Sequence, residues 1–267
     1  MTDFNAEVRS RIEANSNNIE LQKDVRAILL SSIKAMYSYN FFWLSRPIIQ
    51  YPQDIVAMQE LIWQVRPDLI IETGIAHGGS LIMNASILAL IDYCDAVDME
   101  QMLDPSVANR RVIGIDIDIR DHNKKAIENH PMAHRIDMIE GSSVSTKTIE
   151  HVYTAAKKFD RIMIILDSNH THHHVLTELE SYAPLTSKDS YCIVFDTVIE
   201  DLPNELVKNR SWSSGNNPKT AVKEYLARLN SGDCVGVDGK SLDFKIDKSI
   251  ENKLLLTAAP DGYLKRI

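Results

Sequence analysis

With 267 residues, 44% of them hydrophobic and 25% charged, the chain has ordinary globular composition and a length that suits one α/β domain with additions. A formal charge of −8 argues against a nucleic-acid binder and makes small molecules the expected partners. Three cysteines, Cys94, Cys192 and Cys234, lie far apart and outside any CxxC pair, which argues against a disulfide framework or zinc ribbon and fits a reducing cytoplasm.

Residues 1–18 are polar and lack a signal-peptide pattern, and the first twenty residues, poor in apolar side chains, are expected to form a loose arm. From Ile19 to about Tyr37, Leu21, Val25, Ile28, Leu29 and Ile33 recur at helical spacing. An aromatic, proline-containing connector follows from Phe41 to Pro47. Asp54 reads as the N-cap of a helix with Ile55, Met58, Leu61, Ile62 and Val65 on one face. These features divide the chain into an arm and helical extension, residues 1–53, and a main domain, residues 54–267.

After Pro67 the rhythm changes. Leu69–Thr73, Arg111–Ile117, Arg135–Glu140, Arg161–Asp167 and Tyr191–Asp196 are short runs rich in Ile and Val. Between them lie helical stretches at Ser80–Tyr93, Asn123–Asn129, Lys147–Lys157 and Thr171–Tyr182. This alternation predicts a parallel sheet with helices on both faces. A further helix at Pro218–Asn230 and late strands at Asp243–Ile246 and Lys253–Ala258 complete a mostly parallel, seven-stranded α/β fold. The longest aliphatic runs, Ile162–Leu166 and Leu254–Leu256, fall far short of the roughly 20 residues of a membrane span.

Candidate chemistry sits at the strand ends. Three of the ten glycines fall in Glu72-Thr73-Gly74-Ile75-Ala76-His77-Gly78-Gly79-Ser80, where a strand gives way to a helix and backbone can approach a ligand. It is neither a P-loop nor a dinucleotide GxGxxG. Asp116 ends the second strand, where an acid accepts hydrogen bonds from ribose hydroxyls, though it could equally cap the next helix. Ser142 and Ser143 follow the third strand and suit a purine edge or a helix cap. Asp167 and Asp196 end adjacent strands and would repel each other unless a hard cation such as Mg²⁺ joined them; paired helix capping is the alternative. His170, three residues after Asp167, is a candidate base for an acceptor hydroxyl. His172, His173 and His174 complete a histidine tract, expected to be mostly solvated.

Together these segments resemble the class I S-adenosylmethionine-dependent methyltransferases, and more narrowly the cephalosporin hydroxylase/rhamnosyl O-methyltransferase family. The resemblance runs from about Trp43 to Ile267 and includes Arg46–Pro52, Ile71–Ser80, Gly114–Arg120, Asp167–His172, Phe195–Asp201 and Gly215–Val222. It implies a Rossmann-like fold and an O-methyltransferase using S-adenosyl-L-methionine and Mg²⁺. By that resemblance Glu72, Thr73, Gly74, Gly78 and Ser80 hold the methionine end of the cofactor, Asp116 its ribose, and Ser142 and Ser143 its adenine. Asp167 and Asp196 match the metal carboxylates, Thr197 adds an oxygen, and His170 matches the base. Phe195 stands where some relatives have a second acid, which leaves the third metal ligand open.

The loop with Trp212, Asn216 and Asn217 offers an aromatic face and amides for a sugar acceptor, or simply a turn before a helix. The expected protein is a cytoplasmic homo-oligomer acting on a sugar or glycosylated small molecule. Two other readings stay open: a metal-dependent hydroxylase or oxidoreductase accessory, and a non-catalytic nucleotide-binding subunit.

Overall fold

The computed structural model describes residues 2–230, 232 and 234–267. Two helices, α1 (Thr2–Asn17) and α2 (Ile19–Lys34), lead into a hairpin of β1 (Phe41–Trp43) and β2 (Arg46–Ile48). The expected loose arm is thus a helix. Its residues from Asp3 to Asn17 include none that is buried, so α1 lacks the apolar stripe by which periodicity finds a helix. Asn18 breaks the two helices apart, and its side chain accepts from the Leu21 amide as N-cap of α2.

The main sheet follows as α3 (Pro52–Val65), β3 (Leu69–Thr73), α4 (Gly79–Asp98), β4 (Arg111–Asp116), α5 (Asp121–Glu128), β5 (Ile136–Glu140), α6 (Thr146–Ala156), β6 (Ile162–Leu166), α7 (His172–Tyr182) and β7 (Tyr191–Val194). It ends with α8 (Pro218–Leu229), β8 (Phe244–Ile246), α9 (Lys248–Leu254) and β9 (Tyr263–Arg266). The strand order is β5-β4-β3-β6-β7-β9-β8; the first five strands are parallel, β9 runs antiparallel between β7 and β8, and β8 again points the way of the first five. The last strand therefore lies later than expected, and residues 253–258 instead end α9 and begin a loop.

Alternate residues of each strand feed two cores. Ile70, Val112, Met163 and Ile193 pack with α3 and α4, while Leu69, Ile71, Ile113, Ile164 and Leu166 pack with α6, α7 and α8. Helix α4 is long and apolar enough to cross a membrane by composition, but it is a core helix: Leu81 to Leu88 are all buried. Asp54 also departs from expectation. Tyr51 is the N-cap of α3, and Asp54 lies inside the first turn, fully buried, where its carboxylate accepts from Thr257 Oγ1, Tyr263 Oη at 2.8 Å and the Ala258 amide at 2.8 Å. It ties α3 to the loop before β9.

The chain leaves β3 toward β4 on one side and returns through β6 on the other, so a crevice opens at the carboxyl ends of β3 and β6. There Gly74 has φ +92°, and a Cβ added to it would stand 2.0 Å from the carbonyl oxygen of Asp167. Gly215 has φ +81° with nothing within 4 Å of its added Cβ. Gly215→Ala should therefore cost only the left-handed backbone, about 1 kcal/mol, whereas Gly74→Ala adds overpacking and should cost roughly 2–4 kcal/mol in urea denaturation. Equal losses at the two positions would show that the backbone contact yields without cost.

Candidate active site

The loop after β3 is built by side chains that hold it rather than project from it. Glu72 is buried; its carboxylate accepts from Ser80 Oγ and from Asn84 Nδ2 at 2.8 Å. Burial pushes its pKa up to about 7, against the opposing pull of those two hydrogen bonds. Thr73 is fully buried, with its hydroxyl 3.4 Å from the Asp167 amide. All three side chains of this segment expected to meet a cofactor, Glu72, Thr73 and Ser80, are thus engaged internally. The loop presents backbone instead, with Gly74 and Gly78 both at positive φ.

Asp116 leaves the end of β4 toward this loop. Its Oδ2 accepts from the amides of Ile75 at 2.8 Å and Ala76 at 3.2 Å, and its Oδ1 from that of Asp118 at 3.2 Å. No side-chain cap bond starts α5, so the capping alternative fails there. Across the crevice, Ser143 Oγ pairs with His174 Nε2 at 3.0 Å, and its carbonyl accepts from Tyr182 Oη. Ser143 is nearly buried and Ser142 half-buried, so Ser143 reaches a purine by its backbone if at all.

Asp167, His170 and Asp196 come together at the ends of β6 and β7. One donor atom from each lies within 4.8 Å of the other two, and His170 Nε2 stands 3.1 Å from Asp196 Oδ2. Asp196 itself has φ +56° and caps nothing with its side chain. The Asp167 carboxylate accepts no hydrogen bond among the described residues. Burial first, then the charge of Asp196, pushes its pKa well above the usual carboxylate range. A carboxylate in this state gains most from a cation, and the donor set of two carboxylates and one imidazole fits a divalent ion. It is the inverse of the two-histidine, one-carboxylate triad of non-haem iron, which counts against the hydroxylase alternative. Thr197 does not join it: its side chain is fully buried and Oγ1 donates to the Pro260 carbonyl at 2.6 Å.

The histidine tract is not simply solvated. His172 bonds Thr220 Oγ1 at 2.8 Å and Glu224 at 2.9 Å, and His174 lies among Ser143, Ser168 and Glu178. Only His173 is exposed. Of the proposed acceptor residues, Trp212 packs edge-on against His170 with ring centroids 5.8 Å apart. Asn216 and Asn217 are both hydrogen-bonded within the protein. Asn216 accepts from the His172 amide, and buried Asn217 caps α8 while donating to Glu200. Sequence reading overlooked buried Glu178, which accepts from Ser168 Oγ at 2.6 Å beside Asp167. It also overlooked Asn123, buried at the start of α5. Helical spacing could have found Glu178, which lies three residues after Val175 and four before Tyr182 on the buried face of α7.

The fold is that of a class I methyltransferase. The family model for rhamnosyl O-methyltransferase/CmcI matches residues 35–267, and the chain belongs to that family. It is 29% identical over 217 residues to rhamnosyl O-methyltransferase of Mycobacterium tuberculosis (strain H37Rv), covering 80% of this chain and 73% of that protein. Rhamnosyl O-methyltransferase of Mycobacterium leprae is 25% identical over 227 residues, with 84% and 82% covered. The solved structure of CmcI-D160 with Mg and SAM shares the fold, with a TM-score of 0.54, 17% identity, and 86% and 77% of the two chains covered.

Beneath the site, burial raises the Asp54 pKa from 3.8 to about 6, outweighing its three hydrogen bonds. A raised folded-state pKa means that the protonated acid stabilises the fold below about pH 4, and that this contribution is lost as pH rises through about 6. Asp54→Asn, whose amide can serve the rotatable Thr257 and Tyr263 hydroxyls, should remove roughly 3 kcal/mol of this pH-dependent loss. The measurement is denaturant stability from pH 3.5 to 7.5; parallel curves for wild type and variant would show that Asp54 titrates alike in the folded and unfolded chain.

Proposed function

We propose that the protein transfers a methyl group from S-adenosyl-L-methionine to a hydroxyl of a sugar or glycosylated small molecule, assisted by Mg²⁺. The convergence of Asp167, His170 and Asp196 beside the Gly74–Ser80 loop carries this reading. The family match and the rhamnosyl O-methyltransferase relatives support it and make a sugar the first acceptor class to test. When bound, the cofactor supplies an already activated methyl group, and Mg²⁺ supplies positive charge that favours ionisation of the acceptor hydroxyl.

The chain's own residues supply the rest. The backbone of residues 74–80 holds the methionine end, Asp116 the ribose, and the segment with Ser142 and Ser143 borders the adenine. Asp167 and Asp196 hold the ion. With His170 Nε2–H directed at Asp196, the ring's Nδ1 carries the lone pair and takes the acceptor proton as the oxygen attacks. Trp212 restrains the imidazole and offers an apolar face to the sugar ring. Proximity does much of the work, because the methyl donor needs no further activation. Cytoplasmic location and a homo-oligomeric state belong to the same reading. The unpaired cysteines support the first, and exposed Phe42 in the N-terminal hairpin supports the second.

Two substitutions test the roles separately. Asp196→Asn should keep affinity for S-adenosylhomocysteine within about threefold while turnover falls by about 100-fold or more; full activity in chelator would refute the metal role. His170→Ala should lower turnover by about 10²–10⁴-fold at saturating Mg²⁺ without changing the Mg²⁺ requirement, whereas His173→Ala does little. A raised Mg²⁺ requirement with turnover recovered at saturation would make His170 a ligand instead of the base.

A further inference from the structure

We infer that Arg46 and Asn123 are positioning residues that hold the cofactor loop in its binding shape, and that the β1–β2 hairpin is thereby a working part of the site. This rests on the reading of residues 72–80 as the cofactor loop. Arg46 reaches from β2 to the loop: Nε donates to the His77 carbonyl at 3.0 Å, and Nη2 donates to the same oxygen and to Asn123 Oδ1 at 3.1 Å. Asn123, in the first turn of α5, donates through Nδ2 to the Ala76 carbonyl at 2.9 Å. Arg46 has no ion-pair partner among the described residues. A half-buried cation is therefore held by one loop carbonyl, that of His77, and by the Asn123 side-chain oxygen, in the fork geometry that lysine cannot reproduce.

The loop needs such holding. Gly74, Ala76 and Gly78 all have positive φ, and for Ala76, at +47°, that conformation is uncommon. Asp116 secures the amides of Ile75 and Ala76 from one side, while Arg46 and Asn123 secure the carbonyls of Ala76 and His77 from the other. Because a peptide is planar and trans, the His77 N–H points away from the Ala76 carbonyl and hence from Asn123. The oxygen ends of these peptides are thus neutralised behind the loop, an arrangement suited to a ligand bearing a carboxylate, such as the methionine end of the cofactor. Two contacts seat the hairpin against the loop and α4. Trp43 Nε1 donates to Ser86 Oγ on α4 at 2.9 Å, and a Cβ at Gly79 would meet the Pro47 carbonyl oxygen at 2.2 Å.

The test compares wild type with Arg46→Ala, Arg46→Lys and Asn123→Ala, using S-adenosylhomocysteine calorimetry, steady-state kinetics and amide hydrogen exchange of ligand-free protein. Arg46→Ala should weaken S-adenosylhomocysteine binding by about 10–100-fold and raise KM for the cofactor to match, with kcat at saturation falling less than threefold. Arg46→Lys should recover part of that affinity. Exchange should accelerate at residues 75–78 and stay unchanged in β7, which separates loop release from general unfolding. Binding within twofold of wild type, or acceleration spread over the whole chain, overturns the inference. If wild type itself fails to bind S-adenosylhomocysteine, the cofactor reading falls and the inference falls with it; if wild type binds while residues 75–78 exchange alike in every variant, only the inference falls.

Discussion

The architecture of the site depends on the close approach of β3's end to the backbone of Asp167. The two strands are hydrogen-bonded neighbours in register from Leu69 beside Ile162 to Thr73 beside Leu166. Their continuations therefore emerge side by side, and only a residue without a Cβ can follow Thr73 there. From this constraint come the turn of the glycine loop, the start of α4 at Gly79, and the placement of Asp167 against the loop that would carry the cofactor. A ligand on that loop and a ligand on Asp167 would be neighbours because the backbones already are.

Electrostatics then separates scaffold from site. Asp54 and Glu72 are buried carboxylates and Asp167 a half-buried one, and desolvation raises the pKa of each. Asp54 and Glu72 are compensated by hydroxyl and amide donors; Asp54 ties α3 to the distant loop before β9, and Glu72 ties the end of β3 to the next helix, α4. Asp167 has Asp196 and His170 for company and no donor of its own. Repulsion between Asp167 and Asp196 is an unfavourable native contact that an uncharged fold would not contain. Such a contact is expected where binding of a cation restores the balance, since its cost is recovered only in the loaded protein.

The five parallel strands and the carboxylates at their ends were legible in the sequence, because a strand buried on both faces reads as an unbroken apolar run and a ligand edge as the polar residue that ends it. Other elements were not: the β1–β2 hairpin was read as a connector, α9 was not anticipated, and α1 and the last strand were missed. Helix α1 buries no residue between Asp3 and Asn17, so its helicity leaves no periodic trace. The last strand, Tyr263-Leu264-Lys265-Arg266, reads as polar, yet Arg266 is buried with donors on Thr186, Asp238, Lys240 and Ser241. The apolar run Leu254-Leu255-Leu256 took its place in the reading, as short apolar runs do when length cannot decide between helix and strand. At the site, pattern identified which residues gather but not what each side chain touches. Thr197, Asn216 and Asn217 were judged by residue type, and the structure gives all three to backbone or capping bonds.

Those capping bonds bear on how an acceptor would be selected. Burial alone would raise the Glu200 pKa, but the Gly215 amide at 2.8 Å and the Asn217 side chain hold it below its ordinary value. Asn216 meanwhile joins the loop to the first turn of α7, the helix that begins two residues after His170. The base of the 211–217 loop is thus fixed to both the Asp196 side and the His170 side of the site. Trp212, three residues before the first of these anchors, packs edge-on against His170, with the Arg210 guanidinium 5.5 Å from its ring centroid. Residues 203–210, by contrast, are mostly exposed, with short local hydrogen bonds. Change in that stretch can alter what rests on Trp212 without moving the imidazole or the carboxylates. If Trp212 meets the acceptor as proposed, the fold would in this way separate acceptor choice from the chemistry: the second would require fixed distances between strand ends, and the first only a surface loop whose root does not move.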